Sequence, residues 1–336
     1  MQKIFRLTMI AIFSLFIFSI YSCGGGKKKA KDEVNLKLAH VLDINHPVHK
    51  AMERWAELVK EKSGGKITIK IYPGGQLGME KELVEQLQMS TLDITKISSA
   101  ALEQFIPEMK IFGMPYLFRS NEHKWKILNG PVGQDILDAG KKRGLIGLGY
   151  YEAGSRSFYT KNTPIRTPED LKNLKIRVMK SPISIELLKT LGASPTPISW
   201  GELYTALQQG TVDGAENNPP SFVSARHYEV CKYYSLDKHS APLDVVLFSK
   251  ASWNRLSTQQ KNIINEAFQE SVEYQRKLWN EVVEENFATL DSVGVEVIQP
   301  DISKFREKVQ PIYDQYSDDP MFGELIRRIK NVKIEE

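Results

Sequence analysis

Cysteine is almost absent: 336 residues contain only Cys23 and Cys231. That excludes a disulfide framework and any metal site built on several thiolates. Catalytic signatures are missing as well. There is no G-x-S-x-G turn for a serine nucleophile, no H-E-x-x-H zinc helix, no Walker-type phosphate loop and no dinucleotide fingerprint after a strand. The glycine run Gly24–Gly26 sits in a lysine-rich stretch and cannot cradle a phosphate. An excess of one charge is also lacking. Of 45 basic and 41 acidic residues, six and two lie in the first 33, which leaves 39 of each in the body. A neutral body argues against nucleic acid as a partner. With 41% hydrophobic and 26% charged residues, the chain is globular in composition and long enough for two domains sharing a cleft.

What is present begins with a leader. Lys3 and Arg6 precede an apolar run from Leu7 to Tyr21, shorter than the roughly 20 residues of a spanning helix, and this reads as a signal peptide. Ser22 followed by Cys23 resembles a bacterial lipobox, so residues 1–23 are expected to be removed up to a diacylated Cys23. Cleavage without lipidation is the alternative. Residues 24–33 read as a flexible basic tether whose lysines can lie on anionic headgroups. With Cys23 acylated, Cys231 has no partner and is expected to be a packed thiol.

From Val34 onward strand and helix patterns alternate. Leu36 and Leu38 mark a strand. Val48, Ala51, Met52, Trp55, Leu58 and Val59 mark one helix face, closed by Ser63-Gly64-Gly65. Ile67, Ile69 and Ile71 alternate over a second strand, followed by a helix from Met79 to Met89 and strands over Leu92–Ile97, Leu145–Tyr151 and Leu174–Met179. This alternation predicts an α/β fold with parallel sheets and ligand sites at the carboxyl ends of strands. Arg156, Arg177 and Asn217 all fall at such ends. Ser257-Thr258-Gln259-Gln260 is a capping box for a helix running to about Leu290, long enough to span two lobes.

The stretch from Ser194 to Ser221 carries most of the functional signal. It reads as a short helix, a Gly turn and a strand ending in Glu216-Asn217-Asn218, with Pro219-Pro220 stopping the pairing. Arg177 lies within the strand Leu174–Met179, opposite the apolar parity of Leu174, Ile176 and Val178. An arginine there needs a partner. A ligand carboxylate, water at a sheet edge, or an internal acid such as Glu216 would each serve. Trp200 can stack on a sugar ring or simply pack. Glu216 can accept hydroxyls or hold Arg177, and Lys96 is a lone charge in the β-like LDITKISS. The His46-Pro47-Val48-His49 run lacks the spacing and acidic neighbours of a metal site, so a hydrogen bond from His46 or His49 to a ligand hydroxyl is preferred and no metal is expected.

LKNLKIRVMKSP, LGASPTPISWGELYTALQQGTVDGAENNPPS and HYEVCKYYSL together resemble the solute-binding subunits of tripartite ATP-independent periplasmic (TRAP) transporters, the DctP-like family. YPGGQLGMEKELVEQL and FGMPYLF are similar to family segments too, so the resemblance runs from Val34 to the end. It implies a two-lobed periplasmic-binding-protein-like α/β fold with a ligand cleft and a long helix spanning both lobes. Lobe I would hold 34–153 plus 243–282 and lobe II 154–242 plus 283–336. It further implies that Arg177 makes the main bidentate salt bridge to a ligand carboxylate, with Arg156 and Asn217 on the same ligand. The positions aligned with an acid and an arginine of sialic acid binders read Ser98 and Ala101, which speaks against sialic acid. The implied function is capture of a small carboxylate, a hexuronate or aldonate first and a four-carbon dicarboxylate or keto acid second. Delivery would be to membrane subunits driven by an ion gradient, with no cofactor and no catalysis, in the periplasm and lipid-anchored. A secreted two-lobed hydrolase is the remaining alternative.

Overall fold

The computed structural model describes residues 33–334, so the signal peptide and the lipidation site expected at Cys23 lie outside the described residues. Eleven strands are described: β1 (Val34–Ala39), β2 (Ile67–Tyr72), β3 (Ile94–Ser98), β4 (Leu145–Tyr151), β5 (Arg156–Thr160), β6 (Lys175–Val178), β7 (Ser194–Pro197), β8 (Gly214–Asn217), β9 (Tyr233–Ser240), β10 (Asp244–Ser249) and β11 (Glu296–Ile298). They form two sheets, one ordered β2-β1-β3-β10-β4 and the other β11-β9-β5-β8-β6-β7. Each sheet organises one lobe.

The sheets are mixed, which corrects the expectation of parallel sheets. β10 runs antiparallel to both of its neighbours, β3 and β4. β5 runs antiparallel to β8 and β9. The reason lies in the connections. Helical crossovers return a chain to the same sheet in parallel. Residues 152–155 and 241–243 contain no helix and carry the chain from one sheet to the other. Each arriving strand is inserted against the direction of its neighbours.

The third link is the helix Thr258–Ser292, closed at its start by the reciprocal Ser257 and Gln260 cap. In the first lobe its Ile264 carbonyl accepts from Trp55 Nε1 at 3.1 Å, and Trp55 is fully buried against Phe268 and Phe248. At its middle, Gln275 Nε2 donates to the Glu152 carbonyl and its Oε1 accepts from the Glu152 amide, both at 2.9 Å. That satisfies both backbone groups at a buried crossing point. At its far end Leu290 joins the second lobe's core with Tyr159, Leu203, Phe222 and Tyr234. Cys231 is in the same cluster, fully buried, and burial pushes its thiol up to about 12.

The C-terminal helix Pro320–Lys330 departs from the division at 283–336. Arg328 pairs with Asp135 at 2.6 Å, and the Ile329 and Lys330 carbonyls meet His123 and Arg119, so this helix packs on the first lobe. Its amphipathic pattern announces a buried face without saying which lobe covers it.

Candidate functional site

Two adjoining chambers of about 50 and 60 Å³ lie between the sheets and share Val41, Glu80, Arg177, Met179 and Trp200. Lys96, His46, Arg156 and Asn217 line the inner one. The structure therefore gathers six of the seven expected ligand residues around one cleft.

Arg177 is 2% exposed. Its Nε donates to the Ile198 carbonyl at 2.8 Å, while its Nη1 is buried without a partner. Among the described residues no carboxylate lies within ion-pair distance of it. Burial lowers its affinity for a proton, the direction expected of a cation held away from water and from acids. A desolvated guanidinium with an N–H not engaged by the protein is suited to an anion, and a carboxylate matches its planar fork.

Glu216 is the seventh residue, and it stands behind the cleft. It holds Arg156 instead of Arg177. Both of its carboxylate oxygens accept from Arg156, through Nε and, at 2.9 Å, through Nη2. His239 Nε2 lies 3.5 Å away on the other side. Burial pushes the Glu216 carboxyl up, but the Arg156 charge and hydrogen bonds from His239 and Arg156 outweigh it and hold the group at about 2. Burial likewise lowers His239, but Asp237, 2.7 Å from its Nδ1, and Glu216 raise it to about 9. Arg156, Glu216, His239 and Asp237 thus form a neutral buried chain that fixes Arg156. Asn217 Oδ1 accepts from Arg156 Nη1 at 2.7 Å and from the Asn218 amide at 2.9 Å, so Asn217 can offer a ligand its side-chain N–H groups.

The first lobe supplies the opposite wall. Lys96 is buried and pairs with Asp244 at 2.9 Å. Glu80 lines both chambers and accepts the Ser98 amide at 3.0 Å through one oxygen, leaving the other; burial raises its carboxyl above the ordinary value. Sequence reasoning missed Glu80 and Asp244. Glu80 sits in the first turn of the helix Glu80–Gln88, where an acid is routinely explained by the helix dipole. Asp244 is a lone charge at the start of an apolar strand, the same signal that singled out Lys96.

His46 caps the helix Pro47–Lys62. Its Nδ1 accepts from the Val48 amide at 3.2 Å, so Nε2 carries the proton and faces Ser221 Oγ of the second lobe at 3.2 Å. Burial holds it at about 3, hence neutral. His49 turns away, bridging His40 and Glu53. Trp200 lies 6.0 Å from the Arg177 guanidinium and 5.3 Å from the His227 ring, so it packs on the arginine and borders the cleft at once. Among the described residues no group of three or more His, Cys, Asp or Glu is placed to hold a metal, and no helix is long and apolar enough to cross a membrane.

The family model for bacterial extracellular solute-binding protein, family 7 (DctP), matches residues 38–319. The chain belongs to that family. It is similar to a TRAP periplasmic solute binding protein from Xanthobacter autotrophicus Py2 with bound β-D-galacturonate, at 40% identity and a TM-score of 0.85 over 89% of this chain and 100% of that one. A TRAP periplasmic solute binding protein from Bradyrhizobium sp. BTAi1, in complex with galacturonate, is 37% identical with a TM-score of 0.86 over 89% and 100%. The uncharacterized protein YiiZ of Salmonella typhimurium is 39% identical over 98% of each chain. A family-7 protein of the TRAP class is an extracytoplasmic transport component, not an enzyme, and it works with membrane subunits. In this family-7 chain the cleft is lined by the buried Arg177 guanidinium, by Arg156 with the neutral chain behind it, and by Glu80 and Asp244 of the first lobe.

Proposed function

We propose that the chain captures a monosaccharide acid, a hexuronate such as galacturonate, and presents it to the TRAP membrane subunits. The observation that carries this is the unpaired Nη1 of Arg177 in a cleft that Glu80 and Asp244 also line. The ligand carboxylate meets Arg177, with Arg156 and Asn217 completing its shell. Glu80, Asp244, His46 and Lys96 address hydroxyls, and Trp200 covers the ring. A second carboxylate, as in a four-carbon dicarboxylate, would meet two acidic side chains and a lysine already paired. Both solved relatives described above hold galacturonate.

A few charged hydrogen bonds at roughly 1.5–3 kcal/mol each bring micromolar affinity, about −8 kcal/mol, within reach. The lobes divide as 34–153 plus 243–282 and the C-terminal helix from Pro320 against 154–242 plus 283–319. They close over the ligand about the two crossings and the long helix. Cys23 carries the lipid that holds the protein to the cell envelope.

Thermal melting of residues 34–336 with D-galacturonate, D-glucuronate, succinate and pyruvate tests the ligand class. At a hundredfold excess over Kd the preferred acid adds about 2.7 kcal/mol. Stabilisation by succinate beyond that by either uronate would overturn the sugar-acid reading. Mass spectrometry of the mature N-terminus tests the anchor, and an unmodified Cys23 would sink it.

A further inference from the structure

Glu103 follows β3 on the first lobe and is 5% exposed where the second lobe meets it. Its Oε1 accepts from Ser181 Oγ at 2.7 Å, and its Oε2 faces the Ile183 amide at 3.5 Å. Ser181 is the N-cap of the second-lobe helix Pro182–Leu191. Beside it Gln104 Nε2 donates to the Lys180 carbonyl at 3.0 Å, and these two residues border the outer chamber. The seam is tight. A Cβ on Gly113 of the first lobe would stand 2.4 Å from Ile183 Cγ2 and 3.4 Å from Glu103 Oε1. Parting of the lobes along this seam would break these contacts and return Glu103 to water.

The charged and titratable neighbours are few. Lys110 acts on Glu103 from its own lobe, and Tyr316, whose hydroxyl donates to Glu186 at 2.8 Å, lies close enough to feel the Glu103 charge. Among the described residues no cation forms an ion pair with Glu103. Burial pushes its carboxyl up to about 7, against the opposing hydrogen bonds from Ser181 and Ile183 and the Lys110 charge.

We propose that Glu103 is a positioning residue for lobe closure and ties closure of the cleft to the uptake of one proton. This rests on the reading that the ligand is captured by closure. The closed form binds the proton more tightly than the open one, so acid favours closing. The contribution is absent above pH 7, grows as pH falls from about 7 toward the ordinary carboxyl value of 4.5, and is then complete.

Calorimetric titration with D-galacturonate from pH 8.5 to 5.5 should show wild-type Kd falling roughly 30-fold, with proton uptake rising from near zero at pH 8.5 to about one at pH 5.5. Glu103→Gln should remove most of that slope. Glu80 contributes a slope of the same sign that survives in E103Q, so the difference between the two proteins is decisive, and equal slopes overturn the proposal. A ligand-free arm separates this from the hexuronate reading: fluorescence transfer between dyes on the two lobes should report more closed protein at pH 5.5 than at 8.5 in wild type, and a clearly smaller gain in E103Q, where only the Glu80 slope remains. Identical responses sink the coupling even if galacturonate does not bind. If E103Q fails to fold, Ser181→Gly removes the donor while leaving a tolerated cap. It should steepen the pH dependence, and a flattened one counts against us.

Discussion

Arg177 and Glu216 stand on neighbouring strands and do not pair. In the parallel register of β6 and β8, Arg177 is opposite Ala215, one residue before Glu216. Side chains alternate along a strand, so Glu216 turns to the other face, where β5 presents Arg156. One arginine is neutralised within the protein and held rigid, and the other keeps an Nη1 with no partner, the group we propose meets the ligand carboxylate.

On the proposed function, Arg177 costs stability without ligand and contributes affinity with it. Arg177→Met keeps the volume and removes the unpaired charge, and replacing a buried charge by an apolar side chain is often neutral or stabilising. The ligand-free variant should melt at or above the wild-type temperature, while affinity for galacturonate falls by about 100-fold or more. A destabilised variant that still binds would contradict this account.

Glu216 predicts the opposite pattern. Glu216→Ala leaves Arg156 and His239 buried without their shared acid, and breaking a buried pair costs about 3–5 kcal/mol. Urea unfolding should show that loss in the absence of any ligand. A change below about 1 kcal/mol would mean that Arg156 is supported by other groups.

Stability should peak near neutrality because buried histidines work in opposite directions. His239 is raised from 6.5 to about 9, so its contribution is complete below pH 6.5 and is lost as pH rises through 9. Burial lowers His40 to about 2 and His46 to about 3, so their contribution is present above pH 6.5 and is lost as pH falls below it. Each such group costs about 1.4 kcal/mol per pH unit in its window. Melting temperatures across pH 4–10 should trace both limbs. His239→Gln should flatten the alkaline limb alone, and a variant that keeps it would refute the assignment.

How much of this was readable beforehand depends on how local each signal was. The strand Leu145–Tyr151 and the capped helix Thr258–Ser292 follow from periodicity and a four-residue box, and both form as expected. Arg177, Arg156 and Asn217 were visible as polar anchors at strand ends. Their partners were not. Whether Glu216 reaches Arg156 or Arg177 is decided by which strands become neighbours, and β5 reaches β8 only because the chain changes sheets at 152–155. The mixed sheets escaped notice for the same reason, since alternating strands and helices describe the crossovers but not the two helix-free crossings. Glu80 was hidden by a sufficient local explanation.

Glu80 gives the sharpest test of ligand choice. It lines both chambers and keeps one carboxyl oxygen beyond its bond to the Ser98 amide. A ligand hydroxyl that bonds there loses that partner in Glu80→Ala, and a site built to bond a hydroxyl rejects ligands lacking it because its own group is left unpaired. Wild type should prefer galacturonate to a monocarboxylate without hydroxyls by a wide margin. E80A should narrow that margin mainly by weakening galacturonate, by about 1–3 kcal/mol or roughly 5- to 150-fold, while the hydroxyl-free acid changes little. Calorimetry with both acids measures each side. If E80A weakens the two equally, Glu80 shapes the cleft without reading hydroxyls, and selection among acids must come from Asp244 and Lys96 instead.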